Sequence, residues 1–274
     1  MLGNILFWSG LADSLVIGIL SYRELGDVSQ MLIRVKRKNM LRFVRNEYRL
    51  IAIGLGGLGL MTIAHFGLGA GSRGIWLAAF LLCAFLYGFP YLWVHVGLRY
   101  QNDSALYFSI EEAKQYVSPS SQVIVIENQG VARAHPQAQL MRPHLAGNDE
   151  GLDGENVVMT YCALANLGIG YTPEVEGEKL DLEVVAQHGN NLILRDNRTG
   201  EPIQQIYGFR EADAAPQAEG ATCALRPSLA MRPWPTVRMT FRGFQKAYPE
   251  GSVFVNNPPS NPVLYLFDLV LEMV

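Results

Sequence analysis

The chain has 274 residues, of which 49% are hydrophobic, and its net charge is -3. The charge is uneven: residues 1–99 contain ten Lys or Arg and four Asp or Glu, whereas residues 100–274 contain twelve and twenty-one. Because such an acidic segment repels phosphates, the composition argues against DNA or RNA as a partner.

Residues 1–99 are predicted to form a transmembrane region. The first apolar stretch, residues 2–20, contains Asn4 and Asp13, and we interpret it as a membrane helix. A signal peptide and a helix lying in the membrane interface are the alternatives. A signal peptide is disfavoured because no basic segment precedes the stretch and no small-residue cleavage site follows it.

Two further stretches are stronger predictions. Residues 50–69 and 75–98 contain no Asp, Glu, Lys or Arg. At about 1.5 Å per residue, each is long enough to cross a bilayer. The glycine-containing sequence 69–74 between them predicts a tight turn, so these two helices form a hairpin. The fold class is therefore a membrane protein with two or three N-terminal helices.

Small and polar residues of these helices are candidates for contacts within the membrane. A small-residue face on the second predicted helix would let another helix approach closely, and its members recur at helical spacing: Ala52, Gly56, Gly59. Charged side chains are costly in lipid, so Asp13 implies a partner, which a neighbouring subunit would supply. We expect His65 and His95 to make interhelical hydrogen bonds or to lie at the interface.

A basic linker, residues 21–49, contains eight Lys or Arg and three Asp or Glu. The positive-inside rule places it in the cytoplasm, and the hairpin then returns the chain to the same side. We therefore expect an integral protein of the cytoplasmic (inner) membrane of a prokaryote with a cytoplasmic C-terminal domain; an extracytoplasmic domain is the alternative. Residues 31–49 alternate apolar and basic side chains, which predicts contact with anionic lipid headgroups.

Residues 100–274 are predicted to form a soluble β-rich, α+β domain. Ser109 begins a capping-box sequence, which predicts a short helix over 109–116. Alternation and turn residues predict strands at 122–127, 131–135, 156–161, 168–171, 180–187, 191–195 and 204–207. A helix is predicted from Trp234 to Tyr248. Residues 211–221 resemble a surface loop, and the apolar run 263–274 is too short to span a membrane.

Four short motifs follow one another in this domain: Gly130-Val-Ala-Arg133-Ala134-His135-Pro136, His144-x-x-x-Asn148-Asp149, Thr160-Tyr161-Cys162, and Asp196-x-x-Thr199-Gly200 with Gln205 five residues further on. In order and spacing they resemble a bacterial and archaeal family, domain of unknown function 3179, over about residues 107–250. Because the family's function is unknown, the resemblance implies a related fold and no activity. Its members often carry export signals, which implies the opposite side of the membrane from the charge argument.

Three departures from the family pattern bear on chemistry. The family's second cysteine falls at Ala165, its tyrosine at His135, and its glutamate at Leu145. Any dithiol or two-cysteine metal chemistry of the family therefore cannot operate unchanged in this chain. A disulfide between Cys162 and Cys223 is arithmetically available, but nothing in the sequence requires it.

The candidate site residues support two kinds of chemistry. A copper or zinc site would draw on four metal ligands: His135, His144, Cys162 and His188. A nucleophilic site would use Cys162 activated by His144 and oriented by Asp149. The structural alternative is favoured: Cys162 is a small buried residue, and the polar groups stabilise a loop. The segment 195–200 is likewise interpreted as a hairpin turn and not as a phosphate site.

Two functions remain open at this level. The first is a non-enzymatic accessory or structural subunit of a larger membrane protein complex, indicated by the small-residue face, Asp13 and the missing second cysteine. The second is a metal-binding or thiol-dependent membrane enzyme or metal-handling protein that uses Cys162 and His144.

Overall fold

A computed structural model describes residues 1–25, 35–97, 100–101, 103–189, 191–211 and 230–256. The chain divides into two compact units, Met1–Val96 and Gly97–Val274. The first unit is helical, and its elements are α1 (Leu2–Leu25), α2 (Arg37–Leu68), α3 (Arg73–Tyr91) and a π-helical segment (Leu92–Gly97). Among the described residues, three segments are long and apolar enough to cross a membrane: Leu2–Leu25, Arg37–Leu68 and Arg73–His95.

The second helix is longer than the sequence predicts. It begins at Arg37, so residues 37–49 of the predicted linker are helical and continuous with the membrane span. Arg, Lys, Met and Leu favour helix, and glycine first occurs at Gly54, so nothing interrupts the helix before the apolar stretch. The helix ends where Gly69 adopts a left-handed conformation, with φ of 64°. The predicted lipid contact of 31–49 falls partly on residues 31–34, outside the described residues.

Helices α1 and α2 pack antiparallel through glycine. A Cβ on Gly10 would lie 2.6 Å from the carbonyl oxygen of Gly57, and a Cβ on Gly57 would lie 2.8 Å from that of Gly10. The absence of both side chains therefore lets the two backbones touch. Met61 and Ala64 continue this buried face of α2.

The predicted packing face lies elsewhere on α2. Ala52, Gly56 and Gly59 are exposed, and a Cβ on either glycine would have nothing within 4 Å in the described structure. The glycine-rich sequence places small residues around more than one side of the helix, so their spacing alone does not identify the side that meets α1. Within this chain, α1 therefore packs on a different side of α2 from these three residues.

Helix α3 joins the pair through polar contacts. The hydroxyl of Tyr87 donates to the carbonyl oxygen of Ser14 at 2.7 Å, and Nε1 of Trp76 donates to Oγ1 of Thr62 at 3.3 Å. His95 Nε2 lies 2.7 Å from Oε1 of the buried Glu47, as predicted for an interhelical hydrogen bond. This contact places the start of α2 and the end of the third span at the same end of the bundle.

The second unit consists mainly of strands. They are β1 (Tyr100–Gln101), β2 (Tyr107–Ser109), β3 (Gln122–Asn128), β4 (Val131–Pro136), β5 (Leu145–Gly147), β6 (Val158–Cys162), β7 (Leu167–Thr172), β8 (Glu174–Val175), β9 (Glu178–Lys179), β10 (Leu182–His188), β11 (Asn191–Asp196), β12 (Pro202–Gln204), β13 (Arg232–Trp234), β14 (Thr236–Thr240) and β15 (Ser252–Phe254). Three short helices accompany them: α4 (Ile110–Ala113), α5 (Gln137–Leu140) and α6 (Phe241–Ala247).

Three sheets form successive layers. Sheet I has the order β1-β5-β6-β7-β13, sheet II the order β14-β3-β4-β15-β2, and sheet III the order β10-β11-β12. One apolar cluster lies between sheets I and II and contains Ile124, Ile126 and Met159. A second cluster lies between sheets I and III, and a third covers the outer face of sheet II with α4 and α6. Strands β3 and β6 are thus apolar on both faces.

Two glycines of β7 set the contact between sheets I and II. A Cβ on Gly168 would overlap Cδ1 of Ile124, and a Cβ on Gly170 would lie 2.9 Å from Cγ2 of Ile126. Their missing side chains leave the room that the two isoleucines of β3 occupy.

Six of the seven predicted strands match strands of the structure, but the predicted strand 204–207 is wrong, because the strand is Pro202–Gln204 and residues 205–207 form a turn. One predicted helix is also partly wrong. The capping box at Ser109 is present, although its helix is shorter than predicted. Trp234 to Thr240 was expected to be helical but forms β13 and β14, because its Thr and Val residues favour extended backbone and pair with β3 and β7. The helix begins only at Phe241, capped by Thr240. The predicted segment 263–274 and nearly all of the loop 211–221 lie outside the described residues.

We expect the substitution Gly170→Ala to lower the free energy of unfolding by about 1–3 kcal/mol, as for overpacked cores. The added methyl group meets the branched Ile126 side chain, which has little rotational freedom to move away. Gly243→Ala is the matched control, because its new Cβ makes only ordinary contacts, with Thr240 and Met239. Thermal unfolding of the full chain in detergent measures the stability of both variants. If Gly170→Ala and Gly243→Ala are equally stable, the close approach of Gly170 to Ile126 is contradicted.

Candidate functional site

A polar group of side chains lies between sheets I and II. Side chains alternate along β4, so Ala132 and Ala134 face the outer cluster whereas Arg133 and His135 face sheet I. Both polar residues are buried, and Tyr107 of β2 lies against both of them. These groups form the centre of the candidate site.

His135 is held neutral by its surroundings. It is fully buried, and its Nε2 lies 3.0 Å from the hydroxyl of Tyr107. Burial, and to a smaller extent the nearby charge of Arg133, lower the pKa of His135 to about 3 against an opposing effect of the Ile124 backbone. A neutral Nε2 accepts the hydrogen bond that the Tyr107 hydroxyl donates.

Arg133 is the cation of the group. Its guanidinium lies over the ring of Tyr107, 4.1 Å from the centroid, and Nη1 donates to Oδ1 of Asn148 at 2.9 Å. Burial lowers the pKa of Arg133 from its usual range. Burial also raises the pKa of Tyr107 to about 12, partly offset by the charge of Arg133. Arg133 therefore links the motif that ends at Pro136 to the motif that contains Asn148.

His144 lies on the same side of sheet I. It is buried, and its ring meets that of Tyr161 edge-on, with 6.3 Å between centroids. Burial lowers the pKa of His144 to about 4, and an interaction with the Met141 backbone opposes this shift. The amide of Tyr161 donates to the carbonyl oxygen of His144 at 2.8 Å, which joins the second motif to the third.

A second group of polar contacts connects the motif that contains Gln205 to the motif that contains Thr160. Nε2 of Gln205 donates to Oγ1 of Thr160 at 2.9 Å, and that hydroxyl donates to the carbonyl oxygen of Ile169 at 2.8 Å. The Tyr171 hydroxyl donates to the carbonyl oxygen of Gln205 at 2.5 Å. The four motifs identified in the sequence are thus connected through direct hydrogen bonds and form one continuous framework.

The segment 195–200 forms a hairpin turn, as predicted. Oδ1 of Asp196 accepts from the amides of Asp181 and Arg198, and Oδ2 accepts from Oγ1 of Thr199. Gly200 takes a positive φ of 73°. The Asp196 carboxylate is occupied by its own turn and by the neighbouring strand.

The structure separates the members of the candidate nucleophilic site. Cys162 packs in the cluster between sheets I and III, whereas Tyr161 and the neighbouring His144 face the cluster between sheets I and II. Asp149 is exposed, and its carboxylate lies 3.5 Å from Nζ of Lys179. Cys162, His144 and Asp149 therefore do not assemble into a triad.

The four candidate metal ligands are also dispersed. His135 and His144 lie beside the layer between sheets I and II, Cys162 lies on the other side of sheet I, and His188 ends β10 in sheet III. Across the described ranges, no group of three or more His, Cys, Asp or Glu side chains could hold a metal ion. Cys223, the alternative partner of Cys162, lies outside those ranges.

Ala165, the position of the family's second cysteine, packs against the cluster that contains Cys162. A cysteine pair at these two positions would therefore share one apolar environment. In this chain the position contributes only a methyl group to the core.

Two features of the β-rich unit were not predicted from the sequence. Tyr107 contacts both His135 and Arg133, but it lies in β2, which pairs with β15 from the far end of the domain. Glu183 and Arg195 form a buried ion pair across β10 and β11. Their opposite charges on the two predicted strands 180–187 and 191–195, which follow one another closely in the chain, were a usable signal for this second feature.

Long apolar helices followed by layered sheets define a membrane-anchored protein with a β-rich domain. Residues 101–262 match the family described as protein of unknown function (DUF3179). The chain belongs to this family, with membrane-spanning helices preceding the family domain. No curated protein and no solved structure matches the chain.

The two buried histidines predict a loss of stability in acid. Their pKa values of about 3 and about 4 lie below that of an unfolded histidine, about 6.5. As the pH falls, both histidines take up a proton in the unfolded chain before they do so in the folded chain. The contribution of the two neutral histidines to the free energy of unfolding is therefore complete above pH 6.5 and is lost as the pH falls towards 4. Each histidine should lower the free energy of unfolding by about 1.4 kcal/mol per pH unit within that window.

Thermal unfolding of the full chain at a series of pH values measures this slope. We expect His135→Gln and His144→Gln each to reduce it. Ile124→Val, an uncharged change beside His135 on sheet II, should lower stability by about 1 kcal/mol and keep the parent slope. A slope that survives removal of both histidines contradicts the assignment.

Proposed function

We propose that this protein is a non-enzymatic accessory or structural subunit of a larger membrane protein complex. The carboxylate of Asp13 carries this proposal. It is exposed on α1, within a helix that is apolar enough to span a membrane, and it makes no hydrogen bond or ion pair with any described residue. A carboxylate that faces lipid is costly, so a polar or cationic group of a neighbouring subunit would stabilise it.

The open side of α2 supports the same proposal. Ala52, Gly56 and Gly59 are not used to pack α1 or α3, and they leave a smooth surface on a membrane helix. Helices associate in membranes through such small-residue surfaces, because close packing replaces the hydrophobic driving force that lipid lacks.

Gentle detergent extraction followed by affinity purification and mass spectrometry tests this proposal. We expect other membrane subunits to copurify, and we expect Asp13→Asn or Gly56→Leu to reduce their recovery by about tenfold, as for lost interhelical contacts. Gly74→Leu is the matched control, because it adds the same side chain at another open helical glycine. A parent chain that always runs as a free monomer would refute the proposal.

We also propose that the membrane is the inner membrane of a prokaryote and that the β-rich unit is cytoplasmic. The basic residues of 21–49 support this side. The contact of His95 with Glu47 supports it too, because the chain leaves the bundle at the end where α2 begins. The turn that contains Ser72 lies at the opposite end.

Labelling of intact cells with a membrane-impermeant maleimide tests this topology. In a background with Cys223→Ser, we expect Ser72→Cys to be labelled and Ser118→Cys, an exposed position of the β-rich unit, to be protected until the cells are lysed. The two native cysteines of the described residues are buried. The reverse labelling pattern would place the β-rich unit outside the cytoplasm.

A further inference from the structure

A groove in the helical unit lies between the end of α1 and the beginning of α2. Its volume is about 530 Å³. Residues of α2 from Asn39 to Ile53 line it at steps of three or four, so a single stripe of that helix forms one wall. The last turns of α1 form the other wall.

The upper part of the groove is cationic. Arg23, Arg42 and Arg49 line it, and Arg42 and Arg49 form no ion pair within the described parts of the chain. The two arginines are seven residues apart, which is about 10 Å along the helix. Guanidinium groups are the preferred side-chain donors to phosphate oxygens.

The lower part of the groove is apolar. Leu20, Leu50 and Ile53 line it, and α2 carries no Asp, Glu, Lys or Arg from Leu50 to its end. The change from charged to apolar residues at Arg49 marks the boundary between headgroups and hydrocarbon. The groove therefore crosses this boundary, with cations on the headgroup side and aliphatic side chains on the hydrocarbon side.

A buried acceptor lies in the same groove. Glu24 is about 1% exposed; its Oε1 accepts from Nε of Arg23 at 2.9 Å, whereas its Oε2 has no hydrogen-bond partner among the described residues. A buried carboxylate oxygen without a donor is costly. This oxygen indicates that the occupant of the groove supplies a hydrogen-bond donor close to its phosphate.

We infer that the groove binds one anionic phospholipid whose headgroup carries hydroxyl groups, of the phosphatidylglycerol class. Its phosphate diester lies between Arg42 and Arg49, an acyl chain follows Leu50 and Ile53, and a headgroup hydroxyl donates to Oε2 of Glu24. The occupant adds one negative charge to a groove whose lining carries three cations and one carboxylate. This inference does not depend on the proposed role as a subunit.

Native mass spectrometry of the full chain in non-ionic detergent, titrated with phosphatidylglycerol, tests the inference. We expect one bound lipid, and we expect Arg42→Gln and Arg49→Gln each to weaken binding by about five- to tenfold. Lys38→Gln is the matched control: it removes the same charge from an exposed position near the start of α2 that does not line the groove. Its affinity should stay within about twofold of the parent, since attraction outside a site is diffuse.

Three comparison ligands identify what the groove recognises. Phosphatidylcholine with the same chains lacks the net charge, phosphatidylmethanol keeps the charge but lacks the hydroxyl groups, and glycerophosphoglycerol lacks the acyl chains. We expect each to bind more weakly than phosphatidylglycerol by about fivefold or more. Equal binding of any of the three, or an equal loss of affinity in Lys38→Gln and Arg42→Gln, overturns the inference.

Discussion

The close approach of two sheets at Gly168 and Gly170 is the constraint on which the β-rich unit depends. Ile124 and Ile126 occupy the space where side chains of β7 would otherwise lie. Because the sheets meet there, groups of β4 and β5 on their facing sides are removed from water together. Burial then favours hydrogen bonds between these groups inside the protein, which accounts for the contacts around Arg133.

The family motifs gain a physical meaning from these contacts. Arg133 bonds to Asn148, the backbone of His144 bonds to Tyr161, and Gln205 bonds to Thr160. Each bond joins two successive motifs, so the motifs specify how neighbouring parts of the sheets are joined. The replacement of the family's tyrosine by His135 fits the same layer, because a neutral imidazole accepts from the hydroxyl of Tyr107.

Periodicity in the sequence predicts the elements better than it predicts the surfaces through which they meet. The spans and most strands follow from runs of apolar residues, whose length and alternation are local properties. The packing face of α2 does not follow from local sequence, because glycines lie around several sides of the helix. Only the position of α1 determines that Gly57, and not Gly56, lies in the contact. Tyr107 was missed for the same reason, since its place beside His135 depends on strand pairings that are distant in sequence.

The two units differ in whether their charged side chains form ion pairs, and this difference bears on where other molecules would bind. In the β-rich unit, buried charges such as Glu183 and Arg195 are neutralised by each other. In the helical unit, Asp13 and Arg42 are exposed and have no ion-pair partner among the described residues. Because charge near lipid is more costly than charge in water, lipid headgroups or another protein would stabilise such groups. Both proposed contacts, with a neighbouring subunit at Asp13 and with an anionic phospholipid at Arg42, therefore lie in the helical unit.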